Sequence, residues 1–262
     1  MKKLSYVGAL ACALSSAVVL ADPPKDDGLW RGALAASLAV AAGNTESTNF
    51  SVGADGVRLT KEDKITLVVT SLYGSRKVAG KSEKTANLAR MGGRYDWNLS
   101  DRSFAFGTAE FEQDKIQRLD SRFVVGAGFG YKLVKEADLS WDLFGGLVHA
   151  ASKNSVTVVS GTPPRSVDSK VNSNGSELLL GEESNHKLSD STSFKQKLTV
   201  FPNLARSGEY RAQFDASVVT AIANGINLQV TLSNRYNSEA AAGTKKSDTL
   251  LLTGINIALG AK

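Results

Sequence analysis

The sequence predicts an all-β fold, an antiparallel transmembrane β-barrel of about 12 strands. Three observations predict it. Apolar and polar residues alternate with a period of two along nearly the whole mature chain. The alternating segments run for about 11 to 15 residues, whereas strands of soluble proteins average about five or six. Every second connection is short and rich in turn formers.

The first segment stands apart. Met1-Lys2-Lys3 is a basic head, an apolar run follows to Ala21, and Val19-Leu20-Ala21 ends it on a small residue before Asp22-Pro23-Pro24. This is the pattern of a secretory signal peptide over residues 1–21, cut after Ala21. A membrane-spanning helix and a lipoprotein anchored at Cys12 are the weaker readings, because the run is barely long enough and cutting at Cys12 leaves a long apolar remnant. Residues 22–28 are then a short linker, and residues 29–262 the barrel. Cys12 is the one cysteine of the sequence, so the expected mature chain has neither disulfides nor thiolate metal sites.

Twelve alternating segments are expected near 30–42, 46–59, 63–76, 81–97, 102–114, 118–134, 138–152, 175–187, 191–202, 208–222, 226–238 and 246–260. In 226–237, Ile226, Leu228, Val230, Leu232 and Tyr236 share one face, and Asn227, Gln229, Thr231, Ser233 and Arg235 the other. In 122–133, Phe123, Val125, Ala127, Phe129, Tyr131 and Leu133 oppose Arg122, three glycines and Lys132. A strand turns successive side chains to opposite faces, so each segment has an apolar wall for lipid and a polar wall for a wet lumen.

With the N-terminus periplasmic, the even connections should be tight. They are Thr60–Asp63, Asn98–Asp101, Lys135–Asp138, Leu188–Asp190 and Ala223–Gly225. The odd connections are mostly longer, the seventh being read as a loop over Lys153–Asn174; the first, Gly43–Glu46, is short. Trp30, Tyr95, Trp97, Tyr131 and Trp141 all fall near periplasmic segment ends, where an aromatic girdle belongs.

Parity assigns Arg90, Arg94, Asp96, Glu110, Glu112, Arg122, Lys132, Lys195, Lys197, Arg211, Asp215 and Arg235 to the lumen, an excess of basic residues that would favour anions modestly if water passes. The whole chain holds 31 basic and 26 acidic residues, or 29 and 26 without Lys2 and Lys3. Both signs are mixed, so no concentrated basic face for nucleic acid is present.

Catalytic patterns are few, and no catalytic, cofactor or metal site is assigned. There are two histidines. His149 falls on the apolar face near the outer end of the seventh segment, but the same-face residue two positions on is Ala151, and Ser152 points the other way, so the strand itself supplies no nucleophile. His186, after Glu182 and Glu183, reads as a solvated strand end rather than a metal site. Glu110 and Glu112 read as part of a salt-bridge ladder rather than an acid–base pair. Gly126-Ala127-Gly128-Phe129-Gly130 lacks the strand-to-helix context of a phosphate loop and reads as room for large lumen side chains.

Gly43-Asn44-Thr45-Glu46-Ser47-Thr48-Asn49, followed by a strand, and Arg90-Met91-Gly92-Gly93-Arg94-Tyr95-Asp96 resemble the DUF481 family, also described as YdiY-like or salt-induced outer-membrane proteins. The resemblance covers nearly the whole mature chain. It implies a Gram-negative outer-membrane barrel and carries over no catalytic residue. The chain departs from the usual barrel ending in finishing Ile257-Ala258-Leu259-Gly260-Ala261-Lys262, without a terminal aromatic residue. The expectation is an integral protein of the cell outer membrane, not an enzyme and without cofactors, with an envelope or salt-stress role or a narrow passive channel. Its expected partners are outer-membrane lipids and the barrel-insertion machinery. An outer-membrane lipid-modifying enzyme and a soluble periplasmic β-sheet carrier are the alternatives.

Overall fold

The computed structural model describes residues 25–41, 46–78, 81–116, 118–160, 165–239 and 246–260. The expected signal peptide, the first, third and eleventh connections in whole or part, and Pro163-Pro164 lie outside the described residues.

Twelve strands form one closed antiparallel barrel: β1 (Trp30–Ala41), β2 (Glu46–Leu59), β3 (Asp63–Val78), β4 (Lys81–Asn98), β5 (Ser103–Asp114), β6 (Leu119–Lys135), β7 (Leu139–Ser160), β8 (Arg165–Lys187), β9 (Thr192–Pro202), β10 (Tyr210–Ala223), β11 (Ile226–Asn237) and β12 (Ser247–Gly260). Each strand pairs with its sequence neighbours, and β1 closes on β12 from Arg31↔Gly260 to Ser37↔Gly254. The boundaries follow the alternating segments closely except at β7 and β8. There the expected loop over 153–174 is instead a continuation of both strands, in register to Ser160↔Arg165. Val156, Thr157, Val158 and Val159 are β-branched and favour the extended backbone, and pairing with β8 satisfies the ladder that a loop would leave open.

The even turns are held by their own side chains. Thr60 Oγ1 accepts the N–H groups of Glu62 and Asp63 and donates to the Asp63 carboxylate at 2.7 Å. Ser100 Oγ accepts the N–H groups of Arg102 and Ser103. Asn224-Gly225 joins β10 to β11, and Gly225 takes a φ of +74°, which glycine adopts without steric cost. Before β1, Asp27 accepts two bonds from the Arg31 guanidinium, which hold its carboxyl well below the usual carboxylate range.

Large apolar side chains cover the outer wall. Leu67, Val69, Met91, Phe129, Leu147 and Leu251 are half or more exposed or close to it, and Trp30, Tyr95, Trp97, Tyr131 and Trp141 face outward at the short-turn end. A second outward row, absent from the sequence reading, lies toward the other end: Phe50 opposite Tyr73, Phe111 opposite Phe123, and Tyr210 stacked on Tyr236 at 5.2 Å. From the Asp63↔Trp97 pair to Tyr73 the chain climbs ten residues, roughly 25 Å along the axis of a barrel with strands tilted near 40°. That matches the thickness of the apolar band of outer-membrane barrels.

Inside, apolar residues break the simple rule of polar-in. Phe104, Phe106, Phe144, Val148 and Leu179 form a buried interior cluster, with Val124 and Phe201 packed against it. The glycines of β6 and β8 make it fit. A Cβ on Gly130 would lie 2.1 Å from the Phe104 ring, and one on Gly181 would lie 2.5 Å from that of Phe144. Gly130→Val should therefore displace Phe104 and destabilise the barrel by about 1–3 kcal/mol. Adding Phe104→Ala should recover part of that loss, read as the temperature at which gel mobility changes on heating; an equal or larger loss in the double variant would contradict the packing.

Candidate lumen site

A cavity of about 890 Å³ opens between the short turns, beside Lys61, Asn98, Asp101, Lys135 and Lys187, and runs up the barrel to Arg90, Glu110, Arg122, Arg211 and Asp215. Alternation along β3 to β10 places its walls. Strands β4 to β6 contribute Arg94, Asp96, Phe104, Phe106 and Lys132, and β7 to β9 contribute Asp142, Phe144, Glu183, Lys195 and Lys197. Twelve basic and nine acidic residues line the cavity, an excess of cations.

At mid-height, four arginines meet four carboxylates. Arg90 pairs with Glu110, and Arg211 with Glu177. Arg122 reaches Glu112 at 3.6 Å, and Arg235 holds Asp215 at 3.1 Å. Ser233 donates a further 2.6 Å bond to Asp215. The planar guanidinium suits this role because it can offer parallel donors to a carboxylate. Register then places Leu88 and its partner Leu72 beyond Arg90, away from the short turns, in a buried cluster with Ala86 and Leu252. The lumen is therefore wide at the short-turn end and filled above the arginine layer.

Lower down, Glu183 receives Lys195 at 2.9 Å and Lys197 at 3.4 Å. Arg94 donates to Asp96 at 2.6 Å, and its guanidinium stands 4.2 Å from the Phe106 ring centroid and 4.6 Å from that of Phe144. The two rings meet edge to face at 5.9 Å. Cation–π attraction and the ion pair thus hold one charge against an aromatic wall. The opposite wall carries small uncharged groups: Ser217 with Thr231 at 2.9 Å, Gln229 with Thr231 at 3.0 Å, and Asn227 with Asn256 at 3.3 Å.

Of the residues that parity assigned to the lumen, Arg90, Arg94, Asp96, Glu110, Arg122 and Lys132 line the cavity from β4 to β6, and Lys195, Lys197, Arg211 and Asp215 from β9 and β10. Glu112 and Arg235 stand in the arginine layer through their partners. Glu177, Glu183, Asp142 and Lys64 were not assigned to the lumen from the sequence, although the parity of their own strands carries them inward. Asp55 is a further inward carboxylate, and one of its oxygens is buried with no hydrogen-bond partner. The interior phenylalanines had no signal of this kind, because on β5 the outward places belong to Ala105, Gly107 and Ala109 and the rule of apolar-out inverts.

His149 sits apart from the lumen charges, whereas His186 borders the short-turn end of the cavity beside Asn185 and Lys187. Glu182 accepts the indole N–H of Trp141, while Glu183 binds the two lysines, so the neighbouring carboxylates serve opposite faces. His186 Nε2 lies 3.1 Å from Ser184 Oγ. His149 lies on the outer wall, and its Nδ1 is 3.1 Å from Ser176 Oγ. The sequence search along β7 alone missed this partner, because it comes from the adjacent strand.

Breaking one arm of the arginine layer should cost more than removing a whole pair. Glu110→Leu leaves the Arg90 charge without its counter-ion and should lower stability by about 2–4 kcal/mol, whereas Arg90→Met with Glu110→Leu should cost less. Thermal unfolding of the two variants in detergent checks the order; a double variant less stable than the single one would contradict it.

One solved structure shares the architecture, and others resemble it more distantly. The chain superposes on the translocator domain of the autotransporter NalP from Neisseria meningitidis with a TM-score of 0.50 at 10% identity, covering 91% of this chain and 89% of that one. An outer-membrane channel from Pseudomonas putida F1 matches at 0.49 and 9%, covering 95% and 99%. The NanC porin matches at 0.42 and 10%, covering 89% and 99%. At such identities the likeness concerns the fold. No curated protein sequence matches. The family model described as "Protein of unknown function, DUF481" matches residues 34–258, nearly all of the barrel, and the chain therefore belongs to the DUF481 family.

Proposed function

We propose that this protein is an integral outer-membrane barrel that serves as a narrow, normally closed conduit for small anions. The apolar outer wall between two aromatic rows fits a bilayer, with outer-membrane lipids as its surroundings and the short turns on the periplasmic side. The observation that carries the conduit is the lumen itself. A cavity with more cations than anions ends on the arginine layer and on the cluster of Leu72, Ala86, Leu88 and Leu252. An open path would select by the sign of those charges, and the filled half would set when a path exists. Arg122 and Glu112, 3.6 Å apart and only partly covered, are the pair of the layer most open to screening, so ionic strength acts there first.

Planar-bilayer recording tests this. The wild type should give infrequent, small, anion-preferring openings, more frequent at about 1 M than at about 0.1 M salt, where the screening length falls from roughly 10 to 3 Å. Leu72→Ala with Leu88→Ala thins the filled half and should raise the open fraction several-fold. A membrane silent with both the wild type and this variant would remove the conduit.

A further inference from the structure

We infer that His149 and Ser176 form a nucleophilic pair on the outer wall that cleaves acyl esters of membrane lipids. The two residues are direct cross-strand partners on β7 and β8, with imidazole Nδ1 3.1 Å from the hydroxyl oxygen. That is the reach a general base needs to take a proton from a serine nucleophile. Both side chains are exposed on the face that carries Leu147 and Val125.

Their height supports the choice of substrate. Register aligns Val125 with His149 and with Ser176, and the next outward row runs through Phe111, Phe123, Ala151 and Asn174. On β7 and β8 themselves the outward residues change from Leu147 and Leu180 on the short-turn side of the pair to Lys153 and Asn172 beyond it, so the pair lies at the level where a bilayer changes from chain to headgroup. Acyl ester carbonyls sit at that level, so the ligand comes to the pair by lateral diffusion and no pocket in the wall is needed. β8 also leaves its β9 neighbour here. The last paired residues are Leu180 and Val200, with a lone bridge from Glu177 to Asn203, and the Ser176 carbonyl accepts the Leu204 N–H at 3.3 Å. In a strand the N–H of a residue points to the same edge as its carbonyl, so the Ser176 N–H faces the end of the ladder, where an oxyanion can meet it.

The chemistry balances with water alone. Ser176 Oγ attacks the ester carbonyl carbon as His149 takes the hydroxyl proton. The bond from carbon to the alcohol oxygen breaks, and the imidazolium returns its proton to that oxygen. Water then adds to the acyl-serine by the same relay, releasing the carboxylic acid and restoring the hydroxyl. A hydrogen bond that only satisfied two polar groups on an apolar wall would have no such reactivity.

The inference uses the membrane placement but not the conduit, so the two fail separately. Folded protein in detergent is treated with a fluorophosphonate probe and mapped by mass spectrometry, and fatty-acid release from a diacyl phospholipid in mixed micelles is measured in parallel. The expected result is an adduct on Ser176 that is lost in Ser176→Ala and strongly reduced in His149→Ala, with fatty-acid release falling at least ~100-fold in each. Both positions are exposed, and heat-modifiable gel mobility reports that each variant is folded. No adduct on Ser176 of the folded wild type, or release unchanged in Ser176→Ala, overturns the inference.

Discussion

Everything in this molecule depends on the hydrogen bonds between β1 and β12. An open sheet of this length would present two rows of unsatisfied N–H and C=O groups, each costing several kcal/mol in hydrocarbon. The seam from Arg31↔Gly260 to Ser37↔Gly254 removes both edges at once. Once the edges are gone, each strand has only two remaining obligations, one to lipid and one to the lumen, and the period-two alternation discharges both.

The lumen then divides by chemistry rather than by depth alone. On the side of β4 to β9, arginines, lysines and carboxylates pair with one another and with phenylalanine rings. On the side of β10 to β12, Arg211, Asp215 and Arg235 join the arginine layer, and between it and the short turns hydroxyls and amides form a chain of neutral bonds. The interior thereby fills without long hydrophobic runs, which is why the mean hydropathy of so thoroughly membrane-adapted a chain is slightly negative. Glycine completes the economy of space. Phe104 and Phe144 fit inside a small barrel because Gly130 and Gly181 offer bare backbone beneath their rings.

Most of the architecture was legible in the sequence, because the period of two is a local property that each strand states for itself. Strand number, direction and the short turns at Thr60, Ser100 and Gly225 all follow from neighbours along the chain. What escaped was whatever depends on a second strand. The continuation of β7 and β8 beyond residue 152 looked like a loop, since its polar residues form a strand only through each other. Phe104 and Phe106 point inward against the rule of apolar-out because β6 supplies glycines opposite them. Ser176 lies 27 residues from His149 in sequence, and only the register makes them partners. Lumen charges could be assigned by parity, but their pairing could not, since Arg211 reaches Glu177 past an intervening strand.

The same topology orders assembly. Eleven of the twelve strand contacts join neighbours in sequence, and their closing connections are two to nine residues long, so each pairing confines little chain. The hairpin of β7 and β8, with its 22 paired positions, is the longest of these and can hold together before its flanks arrive. The contact of β1 with β12 is different, because it must gather some two hundred residues of chain into a ring. On loop-closure grounds that step costs about 3 kcal/mol more than forming a local hairpin. Zippering of hairpins therefore comes first, and the ring shuts last, as the slow step of folding.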